Sequence, residues 1–169
     1  INEGILHTAG TTLNITNSQT VSGRGTISDH VNCQGNISAA LKGKIDLNNG
    51  LTVSGSGNVS LGSSGSLVVD DSDSGISGGA LTSYTQYIGN QGIGAFSHSA
   101  GTNQVGSIRL GVSSGSNGTY SLGGIGQLSA GSIFVGCMGT GTFLHSAGTN
   151  NISGTLYIGN DSGGNGTYN

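Results

Sequence analysis

The chain has no proline, no tryptophan, two cysteines and only 7% charged residues. Each shortage excludes something. Without proline, every backbone N–H can donate, as strands paired on both sides require. Ordinary domains carry about 25% charged residues, and disorder of the usual kind needs high net charge. A formal net charge of -3 fits neither. It also leaves no basic footprint for nucleic acid and no polybasic patch for anionic lipid. No apolar run approaches the ~20 residues of a membrane-spanning helix. The start at Ile1 shows no signal-peptide pattern and reads as a processed chain or a segment of something longer. Cys33 and Cys137 lie in different halves and are expected to stay unpaired, as small buried hydrophobes.

Glycine is abundant instead, at 35 of 169 residues. Ser, Thr and Asn accompany it, with Ile, Leu and Val at regular intervals. Runs such as Leu13 to Thr16, Gly43 to Leu47 and Ser66 to Asp70 alternate apolar and polar, which is the pattern of half-buried strands. No stretch carries a 3.6-residue apolar period, so no helix is expected.

Internal repetition decides the architecture. His-Ser-Ala-Gly-Thr-Asn stands at His98 to Asn103 and again, 47 residues on, at His145 to Asn150. Asn-Gly-Thr-Tyr stands at Asn117 to Tyr120 and at Asn165 to Tyr168. In the first half, Asn14, Asn36 and Asn58 recur every 22 residues, and Val21 to Ile27 is echoed by Val53 to Val59. The pattern predicts an all-β parallel β-helix of about seven coils, each of about 22–25 residues. Residues 1–75 form divergent coils and residues 76–169 regular ones, within one continuous rod. The Asp- and Ser-rich stretch 70–80 is the expected break between them. At about 4.8 Å per layer the rod is about 34 Å long.

Stacking sets like above like. Phe96, Tyr120, Phe143 and Tyr168 are expected to form one aromatic column. Asn103 and Asn150, with Gln127 between them, are expected to form an amide ladder.

The G-T-F/Y, H-S-A-G-T-N and Y-I-G-N repeats resemble the β-strand repeats of bacterial autotransporter-type passengers. They also resemble large PEP-CTERM-type surface proteins. The resemblance covers 81–169 well and 1–75 more loosely. It implies a right-handed β-solenoid at the cell surface or in an extracellular matrix. Neither the sorting signal nor the barrel of those proteins is present in these residues.

The two ends match each other. Tyr168-Asn169 followed by Ile1-Asn2 keeps the phase of Tyr120 to Gly123, and Ala9-Gly10 then falls where Ala130-Gly131 does. Ile1, Asn2, Ile5, Tyr168 and Asn169 are therefore a candidate end-to-end interface. It would serve head-to-tail copies or a tandem continuation of the same chain, since free strand edges recruit other edges.

Chemistry is sparse. His7, His98 and His145 occupy one place in the coil, but two coils are about 9.6 Å apart, too far to share a zinc ion with bonds of about 2.0–2.1 Å. They read as marks of a turn or surface position, and His30 has no suggestive neighbour in sequence. Asp71 and Asp73 faintly match a calcium loop that lacks its final acidic ligand, and a solvated turn is the plainer reading. No carboxylate pair accompanied by a base supports glycoside cleavage, so no enzyme and no cofactor are expected. A carbohydrate-active β-helix is the remote alternative. Asn14, Asn36, Asn58, Asn117, Asn151, Asn160 and Asn165 head Asn-x-Ser/Thr triplets and are glycosylation candidates. Without sustained Thr-x-Thr rows, ice binding is not expected. The composite expectation is a secreted, extracellular structural repeat protein that stacks into a fibre or surface layer. The alternative is a polysaccharide-binding adhesin module.

Overall fold

The computed structural model describes residues 8–169. Ile1, Asn2, Ile5 and His7 lie outside the described residues. The described chain is all-β, with parallel strands stacked as a β-solenoid of about seven turns and no helix. Each full coil contributes to three parallel ladders. The first begins with Leu13–Ile15, Val31–Cys33 and Leu51–Val53, and ends with Asn117–Leu122, Thr140–His145 and Asn165–Tyr168. The second begins with Thr20–Gly23, Asn36–Ala39 and Asn58–Ser60 and ends with Thr149–Ile152. The third begins with Gly25–Ile27, Ile45–Leu47 and Ser66–Val69 and ends with Leu156–Ile158. Ser74–Ile88 and Ile93–Leu110 each run through all three ladders, bending at the corners.

The sequence produces this because its apolar residues alternate with Ser, Thr and Asn, and only one face of each short strand turns inward. Inward columns follow the register. One runs Ile15, Cys33, Val53 and Ile76. Another runs Ile37, Val59 and Leu81, and a third Ile88, Leu110 and Val135. All of these are essentially out of solvent. Full burial of each such aliphatic side chain is worth about 1.5–3 kcal/mol. Cys33 and Cys137 are both buried and unpaired; Cys33 is part of this apolar filling, whereas Cys137 lies against Arg109.

The register corrects two readings. Coil length in the first half varies: Leu13 pairs with Val31, 18 residues on, Thr20 with Asn36, 16 on, and Asn36 with Asn58, 22 on. Corners in the short coils are tighter, a single Arg24 separating the strands Thr20–Gly23 and Gly25–Ile27. Asn14 consequently pairs with Asn32, while Asn36 pairs with Thr20 and Asn58. The 22-residue recurrence is a true column only for the last two. Val21 and Val53 belong to different ladders, because Val21 pairs with Ile37 and Val53 with Cys33. Pairing also passes straight through 70–80: Gly75 pairs with Thr52 before it and Ser97 after it.

Gly101 and Gly148 close equivalent corners of the two His-Ser-Ala-Gly-Thr-Asn repeats. Their φ angles are +79° and +85°, and a Cβ on either would stand 2.5 Å from a carbonyl of the preceding coil, Gly79 or Gly126. Left-handed backbone alone costs a residue with a Cβ about 1–2 kcal/mol. Gly101→Ala is therefore expected to lower stability by about 2 kcal/mol or more, read as a fall in the urea midpoint.

Candidate functional site

The repeated motif builds a polar network inside the apolar rod. His98 and Tyr120 come from the first ladder, Asn103 from the second and Gln86 from the third. All four are buried, His98 at 0% exposure. Gln86 and Asn103 exchange amide hydrogen bonds, Nε2 donating to Oδ1 at 2.8 Å and Nδ2 donating to Oε1 at 3.0 Å. Gln86 Nε2 also donates to Ser83 Oγ at 3.0 Å, and Asn103 Nδ2 to the Tyr120 hydroxyl at 3.0 Å. The hydroxyl lies 2.9 Å from His98 Nδ1, and His98 Nε2 lies 3.1 Å from the Gly101 carbonyl. A carbonyl only accepts, so Nε2 carries the proton of the neutral ring and Nδ1 accepts from Tyr120. Burial pushes the His98 imidazole below its ordinary range, the Gly101 carbonyl acting in the opposite sense. His98 is thus a core residue and not a surface mark. Leu122 stands between it and His145 in the column.

The network recurs two coils on, incompletely. His145 Nδ1 and Asn150 Nδ2 both lie 3.2 Å from the Tyr168 hydroxyl. Ile133 occupies the place of Gln86 in the third ladder. Asn150 Oδ1 is accordingly buried without a hydrogen-bond partner. The expected amide ladder does not form, because the residue between Asn103 and Asn150 is Leu128; Gln127 faces outward.

Two ring columns run along the rod. Phe96, Tyr120, Phe143 and Tyr168 stack inside it with centroids 5.3, 5.1 and 5.0 Å apart. A second column, which sequence reading missed, lies on the outer side of the third ladder as Val68, Tyr87, Arg109, Phe134 and Tyr157. The Arg109 guanidinium sits 4.3 Å from the Phe134 ring centre, and Phe134 stacks on Tyr157 at 4.6 Å. At the last coil the inward pattern continues without cover: Leu156 is 37% exposed and Ile158 53%. Tyr168 and Asn169 belong to this terminal layer.

The Asp run is held at a corner. Asp70 Oδ1 accepts from the backbone N–H of Asn90 at 2.6 Å and of Gly92 at 3.3 Å. Asp71 Oδ1 accepts from Asp73 and Ser74, both at 3.1 Å. Asp71 Oδ2 lies 3.2 Å from His30 Nδ1, and His30 Nε2 lies 3.2 Å from Thr52 Oγ1. Asp73 Oδ1 accepts from the Ser72 hydroxyl at 3.1 Å, and no group of three or more His, Cys, Asp or Glu suited to a metal ion is found among the described residues. His30 and Thr52 reach Asp71 from two preceding coils, a meeting that no sequence spacing announces. All seven glycosylation candidates, Asn14, Asn36, Asn58, Asn117, Asn151, Asn160 and Asn165, are exposed.

No family model matches the chain, and no curated protein or solved structure matches it.

Tyr120→Phe would leave one of the two Asn103 Nδ2–H groups and the His98 Nδ1 acceptor unpaired in the core, at about 1–3 kcal/mol for each group. A loss of about 2 kcal/mol or more is expected from urea unfolding. For His98 the folded state binds its proton less readily than the unfolded state, whose ordinary value is about 6.5. Its contribution is therefore intact above about pH 6.5 and lost as the pH falls below that. His98→Gln is expected to flatten this part of the stability profile between about pH 7.5 and pH 5.

Proposed function

We propose that the chain is a structural rod segment, extended end to end into a fibre or surface layer. The observation that carries this reading is the parallel register, which runs unbroken through the described coils from Leu13 to Tyr168. The inner column runs on to Tyr168 as stacked rings, and the outer one to Tyr157, which stacks on Phe134. Leu156 and Ile158 continue the inward pattern but are left in contact with water. Another parallel coil supplies both a backbone edge and a layer of side chains in register, as every internal coil does for its neighbour. The occupant is a coil of a second copy, or of a tandem continuation of the same chain. A heterologous contact of this kind does not close on itself and so propagates. An extracellular or cell-surface location goes with this reading, with self as the chief partner and glycans on the exposed Asn residues.

A second reading, a module that binds neutral polysaccharide, is favoured by one observation. The outer surface of the second ladder carries the column Ser60, Thr82, Gln104, Ser129 and Asn151, all uncharged hydrogen-bonding side chains. The outer aromatic column does not add to it. One face of Phe134 is against Arg109 and it is also stacked on Tyr157, so its ring is not open to a sugar.

Electron microscopy of the purified chain across a concentration series tests the rod. Rods many times longer than about 34 Å are expected at high concentration, with Leu156→Lys and Ile158→Lys together shortening them. Discrete short particles at every concentration would sink the proposal.

A further inference from the structure

The geometry points to an acyl-transfer site on the outside of the first ladder: Thr52 as nucleophile, His30 as its base and Asp71 as the group that orients the base. This inference is independent of the rod reading; either can fail without the other.

Three coils converge on the site. His30 lies just before the strand Val31–Cys33, Thr52 is the middle residue of Leu51–Val53, and Asp71 stands at the corner before Ser74–Ile88. Asp71 is fixed first. Its Oδ1 takes the N–H groups of Asp73 and Ser74, which turns Oδ2 toward His30 Nδ1 at 3.2 Å. Ser74 is itself buried and accepts the Leu51 N–H at 2.9 Å, tying the Asp71 corner to the strand that carries Thr52. Gly50 makes the meeting possible, because a Cβ there would collide with Asp71 Oδ2, Ser74 Oγ and His30 Nδ1.

Carboxylate, imidazole and hydroxyl therefore stand in series. A neutral His30 that gives Nδ1–H to Asp71 presents the lone pair of Nε2 to Thr52 Oγ1, 3.2 Å away. Thr52 Oγ1 donates its one proton to the Asp73 carbonyl at 2.9 Å, and rotation of the hydroxyl turns that proton to His30 Nε2 for the reaction. The arrangement is the nucleophile, base and orienting group that covalent catalysis needs, with Thr52 on a strand paired on both sides and so well fixed. A cleft of about 340 Å³ opens beside it, lined by Thr12, Asn32, Asn49 and Asp73 in addition to the three groups. That polar lining suits the acyl ester of a polyhydroxylated alcohol, such as an O-acetylated sugar, better than a lipid ester. Asn32 is paired with Thr52 in the ladder and lines the same cleft. One of its amide N–H groups is spent on Asn14 Oδ1, which leaves the other to serve a developing oxyanion.

In the step, Thr52 Oγ1 bonds to the acyl carbon and its proton passes to His30 Nε2. The bond from the acyl carbon to the departing oxygen then breaks, and His30 returns the proton to that oxygen. Asp71 stays ionised throughout. The product is an ester on Thr52, which water cleaves with His30 again acting as base, so no redox partner is required.

p-Nitrophenyl acetate is the probe, with peptide mass mapping of the quenched chain and release of nitrophenol as readouts. One acetyl group on Thr52 is expected. Thr52→Ser should keep labelling, and Thr52→Val, nearly the same shape, should abolish it at this position. His30→Gln and Asp71→Asn should each slow it by about 100-fold or more, the scale of a positioned general base. Asp71→Asn keeps an oxygen for the Asp73 and Ser74 N–H groups, so it carries the test if circular dichroism shows that His30→Gln unfolds the corner. Absence of acetyl on Thr52, acetylation found on His30 alone, or labelling of Thr52 undiminished in Asp71→Asn overturns the inference.

Discussion

Everything in this molecule depends on the parallel backbone ladder that sets each coil directly on the one before. A ladder of this kind fixes separation at about 4.8 Å and places like residues in vertical register. The side chains then have little freedom over whom they meet. Phe96, Tyr120 and Phe143 stack because their backbones pair, and their centroid spacings of 5.3 and 5.1 Å are close to the interval the ladder imposes. The abundance of glycine follows from the same constraint. Where one corner lies on another there is no room for a Cβ, as at Gly101 and Gly148.

Within that frame the core is chemically mixed. Its first half is almost purely aliphatic, from Leu13 to Leu81, whereas its second half holds Gln86, His98, Asn103 and Tyr120. Buried polar groups are tolerable only when fully paired, and this network is: each donor and acceptor in it meets a partner from another ladder or corner. Such a network adds little net stability by comparison with an apolar filling. What it adds is a penalty for mispairing, since a coil slipped by one residue would strand several polar atoms at once.

The solenoid was legible because its evidence is periodic, and periodicity survives in a linear reading. The aromatic column was legible for the same reason: Phe96, Tyr120, Phe143 and Tyr168 are spaced by one coil each. Register in the first half was not, since coils there differ in length and spacing alone cannot tell one ladder from the next; Asn14 and Val53 were displaced for that reason. The polar network was half visible. His98, Asn103 and Tyr120 are repeated together as His145, Asn150 and Tyr168, a hint that they act as a unit, but nothing in the repeat named Gln86. The cluster of His30, Thr52 and Asp71 was invisible, because it assembles one residue from each of three unlike coils.

The incomplete second network bears on how such a chain can change length. His98 and His145 are separated by Leu122, and Asn103 and Asn150 by Leu128. Polar coils thus alternate with apolar ones. Duplicating a polar coil alone would bring two imidazoles, or two carboxamide sets, into adjacent layers about 4.8 Å apart, where they would compete for the same hydroxyl. Duplicating two coils together keeps a leucine spacer on each side of every network. In the regular half, then, the unit that repeats without such a conflict is a pair of coils.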